Sequence, residues 1–368
     1  MCEVYGRRER SRSGRITQAR RLLYDDQRFS AAEEVLTRGG DSAAGKALPT
    51  TKAGLLLLSK AQLFEGKVSE AVQTCSRAVE LCEQDEDHTP DTDALGQALR
   101  QLGATQMLLQ GAADDAETSL LRAARLGSSG TDQGKGLSVL AAFNVSAGGE
   151  QRIEEAVGLW NEAFATTKAA VKELETTADP SNAAVSESDD VAHATTSAAI
   201  RLSRASILCS AAQGELILGR GTTKTSEYLA EALKMREELL ATGHPATAWT
   251  LALLGRCHLV AGEAVTAEGL LRAALDGLGT IGEEASGTSA TNLVGGVTAS
   301  PLDLFPSPLH PFSKAECLRA YSELLMQWEK REAEGERVLR RAEKVESSLR
   351  LKPPGGVTVH MLHLDDVY

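Results

Sequence analysis

The sequence predicts an all-α protein built from tandem helical repeats, and three observations support this fold class. The chain has 368 residues, which is longer than the roughly 250–300 residues at which a single hydrophobic core usually stops growing. Its apolar residues are mostly alanine and leucine, and aromatic residues make up only 4% of the chain. Such side chains suit closely packed helices, whereas strands prefer β-branched and aromatic residues. The third observation is a pattern of small residues that recurs along the chain.

This pattern is clearest in residues 53–82, where Gly66 separates two helical runs of apolar residues. A glycine at this point can adopt the left-handed conformation that ends a helix. Ala71, Cys75 and Ala78 then follow at intervals of four and three residues, which place all three on one face of the second helix. The same arrangement follows two further glycines, as Gly111 with Ala116, Leu120 and Ala123, and as Gly262 with Ala267, Leu271 and Ala274.

Weaker copies extend the pattern to about seven units. They are Ala32 with Leu36, then Ala156, Trp160 and Ala163, then Thr225, Leu229 and Ala232, and finally Gly335, Leu339 and Ala342. Small residues at a crossing let two helix axes approach to the short end of the ~8–10 Å range, and a larger side chain fills the space beside them. The predicted packing residues are Gly66, Ala71, Ala78, Gly111, Ala116, Ala123, Gly255, Gly262, Ala267 and Ala274.

The first six units occupy residues 15–278 and follow a basic N-terminal segment, residues 1–14. Arginine-rich residues of this kind either lead into the first helix or target the chain to an organelle. Residues 176–190 are small, polar and acidic, which predicts a loop after the fourth unit.

Residues 279–313 are rich in glycine and proline, which predicts an insert that does not pack as a helix pair. Within it, residues 302–312 are apolar enough to dock in the chain's own groove or on the outside of neighbouring helices. The alternative is that this segment is disordered. Ser313 is a candidate N-cap for a terminal helical hairpin over residues 314–350. Residues 351–368 form a C-terminal tail that begins with prolines and glycines.

Residues 249–278, WTLALLGRCHLVAGEAVTAEGLLRAALDGL, resemble the tetratricopeptide repeat (TPR) family. Leu251, Leu254, Gly255 and Gly262 stand where the family pattern places them, whereas His258 replaces its usual aromatic residue. Residues 226–278 together resemble the longer repeat of kinesin light chains. The resemblance implies a right-handed α-solenoid of about seven helix-turn-helix units, in which the first helix of each unit faces an inner groove.

The resemblance also implies which side chains line that groove. In the best-matched units they are Leu56, Lys60, Leu63, Gln101, Thr105, Leu108, Ala252, Arg256 and Leu259. Family members that bind chaperone carboxylates use lysine and asparagine at the first two groove positions of a unit, where this chain has Leu56 with Lys60 and Gln101 with Thr105. Leucines with a few basic residues suit an amphipathic helix or an extended peptide that carries some acidic side chains.

The sequence predicts neither a catalytic site nor a metal site. It contains no Gly-x-x-x-x-Gly-Lys-Ser/Thr, Gly-x-Ser-x-Gly or His-Glu-x-x-His motif. His360 and His363 lie near Asp365 and Asp366, but strand geometry would send histidines three residues apart to opposite faces. We therefore expect no cofactor and no metal.

These observations predict a non-enzymatic scaffold or adaptor whose partner is a protein. A net charge of −12 disfavours nucleic acid as the main partner, and no apolar run is long enough to insert into a membrane. The scattered cysteines, without a Cys-x-x-Cys pair, are typical of a reducing compartment, so we expect a cytoplasmic location, or a mitochondrion or other organelle if the N-terminus is a targeting segment. The alternative is an accessory or regulatory part of an enzyme or of an organelle assembly complex.

Overall fold

The computed structural model describes residues 14–23, 28–37, 51–84, 92–109, 111–127, 129–177, 187–219, 223–240, 243–279 and 311–348. These residues form helices joined by turns. The helices are α1 (14–23), α2 (Phe29–Thr37), α3 (Lys52–Phe64), α4 (Val68–Glu83), α5 (Thr92–Gln106), α6 (Ala113–Leu126), α7 (Gly130–Ala147), α8 (Glu150–Thr177), α9 (Glu187–Ile217), α10 (Thr223–Leu239), α11 (Pro245–Val260), α12 (Ala264–Gly279), α13 (Pro311–Met326) and α14 (Glu332–Ser348).

The helices pack in pairs along the chain. From α3 to α14, each odd-numbered helix packs against the even-numbered helix that follows it and against the next odd-numbered helix. The two helices of a pair run antiparallel. In the sixth unit, for example, Gly255 lies against Leu271 and the later Gly277 lies against the earlier Ala248. This succession of helix pairs confirms the predicted all-α class and the resemblance to TPR-like repeats.

Left-handed glycines end the first helices at the predicted turns. Gly66, Gly111 and Gly262 have φ values of 76°, 80° and 78°. After α3, the Lys67 amide donates to the carbonyl of Gln62 across 2.9 Å, which closes a Schellman-type turn. A side chain at these positions would be strained, because only glycine adopts this backbone conformation at little cost.

The predicted small-residue ladders lie in the core of every unit. Ladder residues of the second to sixth units are fully or almost fully buried, and in the first unit Ala32 and Leu36 are buried too. In the last unit Gly335 and Ala342 are buried, whereas Leu339 is only partly buried and Val338 takes its place in the core. The ladder residues therefore lie in the packed interior of their units.

Glycines at the crossings allow closer contact than alanine would. A Cβ atom added to Gly255 would lie 2.8 Å from Leu271 Cγ, and one added to Gly103 would lie 2.6 Å from Leu120 Cγ. Gly214 faces Trp160 of α8 in the same way, since a Cβ there would lie 2.1 Å from the indole ring. Gly103 and Gly214 were not among the predicted packing residues.

Two predicted boundaries differ from the observed helices. Helix α8 continues to Thr177 and α9 begins at Glu187, so both ends of the predicted loop 176–190 are helical. The terminal hairpin begins at Pro311 and not after an N-cap at Ser313, and Gly279 still belongs to α12. Proline fits the first turn of a helix because its missing N–H has no intrahelical partner there. The docking segment 302–312, apart from its last two residues, and the tail 351–368 lie outside the described residues.

No helix in the described part of the chain is long and apolar enough to cross a membrane.

Candidate functional site

The first helices of successive units form a continuous row. Helix α3 contacts α5, and contacts between first helices continue through α7, α9 and α11 to α13. Eight of the nine predicted groove residues lie on three members of this row, α3, α5 and α11, and Leu108 lies in the turn after α5. A partner-binding surface is therefore expected along this row of first helices.

On α3 the predicted groove residues are buried. Leu56, Lys60 and Leu63 are all less than 9% exposed, and Lys60 is only 3% exposed. Every residue from Gly54 to Phe64 is buried, so α3 presents no open face in this region. The ammonium group of Lys60 lies close enough to Cys75 of α4 to act on the pKa of that thiol.

The predicted groove residues on α5 and in the turn after it are buried. The Gln101 amide nitrogen donates to the Leu56 carbonyl across 2.8 Å and also to the Ser59 hydroxyl, so this side chain joins α5 to α3. The Thr105 hydroxyl donates to the backbone carbonyl of Gln101 across 2.7 Å. Leu108 belongs to the hydrophobic core. Gln101 and Leu108 therefore pack between helices, whereas the Thr105 hydrogen bond lies within α5.

On α11 one predicted groove residue is buried and two are partly exposed. Ala252 is fully buried, whereas Arg256 and Leu259 are partly exposed. The Arg256 guanidinium lies 3.3 Å from a carboxylate oxygen of Glu316 on α13. This ion pair neutralises the basic residue that was expected to favour acidic side chains in a partner.

The structure therefore corrects the predicted groove. Seven of the nine side chains are buried and could not contact a partner without repacking, because they lie between helices. Arg256 and Leu259 are the predicted groove residues that remain partly exposed. One sequence signal for this outcome was the run from Leu55 to Leu58, since a helix that is apolar all round is usually buried.

A buried ion pair lies where the third unit meets the fourth. The Arg100 guanidinium of α5 lies 3.1 Å from the Asp132 carboxylate and 3.2 Å from the Asp132 carbonyl oxygen, in the first turn of α7. Burial lowers the pKa of Arg100, and the charge of Asp132 opposes that shift. The Ser129 hydroxyl caps α7 by accepting from the Asp132 amide across 3.1 Å. Sequence reasoning missed this pair, which orders the interface between units.

The described residues contain no group of three or more histidine, cysteine or acidic side chains placed to hold a metal ion. The thiols among them that show a shifted pKa are protected rather than activated. Burial raises the pKa of Cys75 to about 11 and that of Cys317 to about 12. Such thiols are poor nucleophiles, because the reactive species is the thiolate.

Comparison with known proteins gives similar structures but no similar sequence. The sequence matches no protein-family model and none of the curated proteins with which it was compared. One similar structure is that of residues 1–338 of the assembly chaperone of RpL4 (Acl4). Its sequence is 16% identical to this chain, the TM-score is 0.40, and the match covers 81% of this chain and 97% of that chain. BtubC (BKLC) from P. vanneervenii is 14% identical with a TM-score of 0.34, over 95% of this chain and 94% of that one. A Podosopora anserina protein described as a kinesin light chain with nearly identical TPR-like repeats is 14% identical with a TM-score of 0.37, over 62% of this chain and 95% of that one.

Proposed function

We propose that this protein is a scaffold that holds a peptide or an amphipathic helix of a partner protein along its first helices. The observation that carries the proposal is the continuous row of first helices from α3 to α13. Stacked helix pairs create an extended surface shared by several units, and such surfaces are what solenoid proteins use for binding.

The predicted groove residues that stay partly exposed lie on α11. Leu251, Leu254 and Leu259 are partly buried side chains that pack against the core of the C-terminal units and keep some surface in contact with water. Arg256 is held by Glu316, so the contact offered to a partner is mainly apolar. An amphipathic helix or a peptide with spaced apolar residues fits such a surface.

The proposal assigns no reaction to the chain. A role as an accessory part of an enzyme or of an organelle assembly complex is a version of the same proposal, because it requires the same contact with a protein. The net charge of −12 supports a protein partner over nucleic acid, since phosphates would be repelled.

The first test compares partner capture by two double variants. Partners are identified by proximity labelling in the native cell and then captured with purified protein. Arg256→Gln combined with Leu259→Ser should weaken capture at least about fivefold, which corresponds to about 1 kcal/mol of lost contact. Circular dichroism should show unchanged helicity.

The matched control is Arg340→Gln combined with Leu121→Ser. Both residues lie on second helices, where the side chain of Arg340 is 68% exposed and Leu121 is 37% exposed. This control should capture the partner as well as the unaltered protein does. Equal capture by both variants, or a loss confined to the control, would place the binding surface elsewhere.

A further inference from the structure

The exposed large apolar side chains of the described residues are concentrated in the C-terminal units. Ile217, Val260 and Met326 are the last residues of α9, α11 and α13, and they are 40%, 55% and 39% exposed. Val265, near the start of α12, is 82% exposed. The remaining one, Leu121, lies apart from them on α6.

The four C-terminal residues share one edge of the array. Because the helices of each pair are antiparallel and first helices stack on first helices, every first helix ends on the same side of the array. We call the surface formed by Ile217, Val260, Val265 and Met326 the turn edge. It is distinct from the sides of the first helices that carry Arg256 and Leu259.

Near the N-terminus, the last residue of the first helix α3 is covered by the preceding helix α2. Phe64 is the last residue of α3, and it is buried against Phe29 of α2, with ring centroids 4.8 Å apart. The described residues provide no such cover for Ile217, Val260 or Met326, which keep more than a third of their surface exposed. Exposed apolar side chains grouped in this way mark interaction sites.

Acidic side chains surround the turn edge. Glu263 lies in the turn between Val260 and Val265, and its side chain is 58% exposed. Among the described residues 215–219, 223–227 and 327–332, the acidic residues Glu215, Glu227, Glu329 and Glu332 outnumber the exposed lysines Lys224 and Lys330. Arg331 is engaged by Glu268 and Glu334, so it leaves this balance unchanged. A partner for this surface should carry basic side chains.

We propose that the turn edge binds a basic amphipathic helix of a partner protein. Ile217, Val260 and Met326 end successive first helices, so the apolar face of a partner helix laid across these ends would meet them in succession. Lysine or arginine residues beside them would face the surrounding carboxylates.

The test uses three labelled synthetic peptides and fluorescence anisotropy. The first is an 18-residue Leu/Lys peptide with its leucines on one helical face. The second has the same composition in scrambled order, and the third replaces each lysine by glutamate. The full chain should bind the first peptide, and it should bind the second and third at least about tenfold more weakly.

Two variants connect the binding to the turn edge. Val260→Ser combined with Val265→Ser should weaken binding of the first peptide about tenfold, because both side chains are largely exposed and their replacement should leave the fold intact. Leu121→Ser, which changes the exposed apolar residue on α6, should bind as the unaltered chain does. Equal binding by the double variant, or equal binding of the scrambled peptide, would overturn the proposal. Self-association of the unaltered chain in sedimentation, lost in the double variant, would instead identify a second copy as the occupant and would also overturn it.

Discussion

Individual polar residues on the first helices stabilise the contacts between units. Gln101 is only 2% exposed, and its amide donates to the backbone of α3. The family resemblance placed this residue in an open groove, because the pattern of small and apolar residues does not show which way a glutamine points. A buried glutamine satisfies its donors by hydrogen bonding to the neighbouring helix, since leaving them unpaired would be costly.

Buried thiols give the first prediction at this scale. Cys75 and Cys317 are fully buried, and burial raises the pKa of these thiols to about 11 and about 12. Iodoacetamide at pH 8 should leave both unmodified in the folded protein and should modify both after unfolding in guanidinium, as read by peptide mass spectrometry. Rapid modification of either thiol in the folded protein would contradict the packing described for α4 and α13.

The same shifts fix the sign of a pH effect on stability. An unfolded thiol loses its proton near its ordinary pKa of 9.0, whereas the folded Cys75 thiol keeps its proton to about pH 11. Between pH 9 and pH 11 the folded state therefore binds more protons than the unfolded state. The free energy of unfolding should fall as the pH rises through this interval. Cys75→Ala should reduce the slope of this fall in urea unfolding midpoints.

At the scale of the helix pair, small residues set the distance between helices. Gly255 leaves just enough room for Leu271, and Gly103 does the same for Leu120. The ladder of alanines on the second helices was predictable, because the intervals of four and three residues are a direct consequence of helical geometry. The glycines on the facing helices were predicted only in part. Gly103 and Gly214 follow no fixed spacing, and only the contacts with Leu120 and Trp160 reveal their role.

A double-mutant cycle tests this contact. Gly255→Ala should destabilise the protein by about 1–3 kcal/mol, because the added methyl group overlaps Leu271. Leu271→Ala alone should cost about 2–5 kcal/mol through the cavity that it leaves. The double variant should cost clearly less than the sum of the two, since the alanine methyl group then enters the vacated space. Chemical unfolding measures all three free energies.

Gly269→Ala on α12 is the matched control. A Cβ atom at this helical position would contact nothing within 4 Å. Removing a glycine from a helix interior should stabilise the protein by about 0.5–1 kcal/mol. Strictly additive costs at Gly255 and Leu271, or a destabilising effect of Gly269→Ala, would contradict the assigned crossing.

For the whole molecule, the sequence predicted the architecture better than it predicted the binding surface. Helix pairing follows from local patterns that each unit repeats, such as Gly66 and Gly262 at the turns. The side chains available to a partner depend on how successive units stack, which determines that Lys60 is buried and that Val260 is exposed. Such relations between units appear only when the whole array is assembled.

The central claim is that the row of first helices holds a partner protein, and site-specific photo-crosslinking tests it most directly. A photoreactive amino acid replaces Leu259 on the first helix α11 in one variant and Arg340 on the second helix α14 in another, and each protein is expressed in its native cell and irradiated. The account predicts crosslinks to the same partner protein from position 259 and none from position 340. Crosslinks from position 340 alone, or no partner crosslink from position 259, would contradict it.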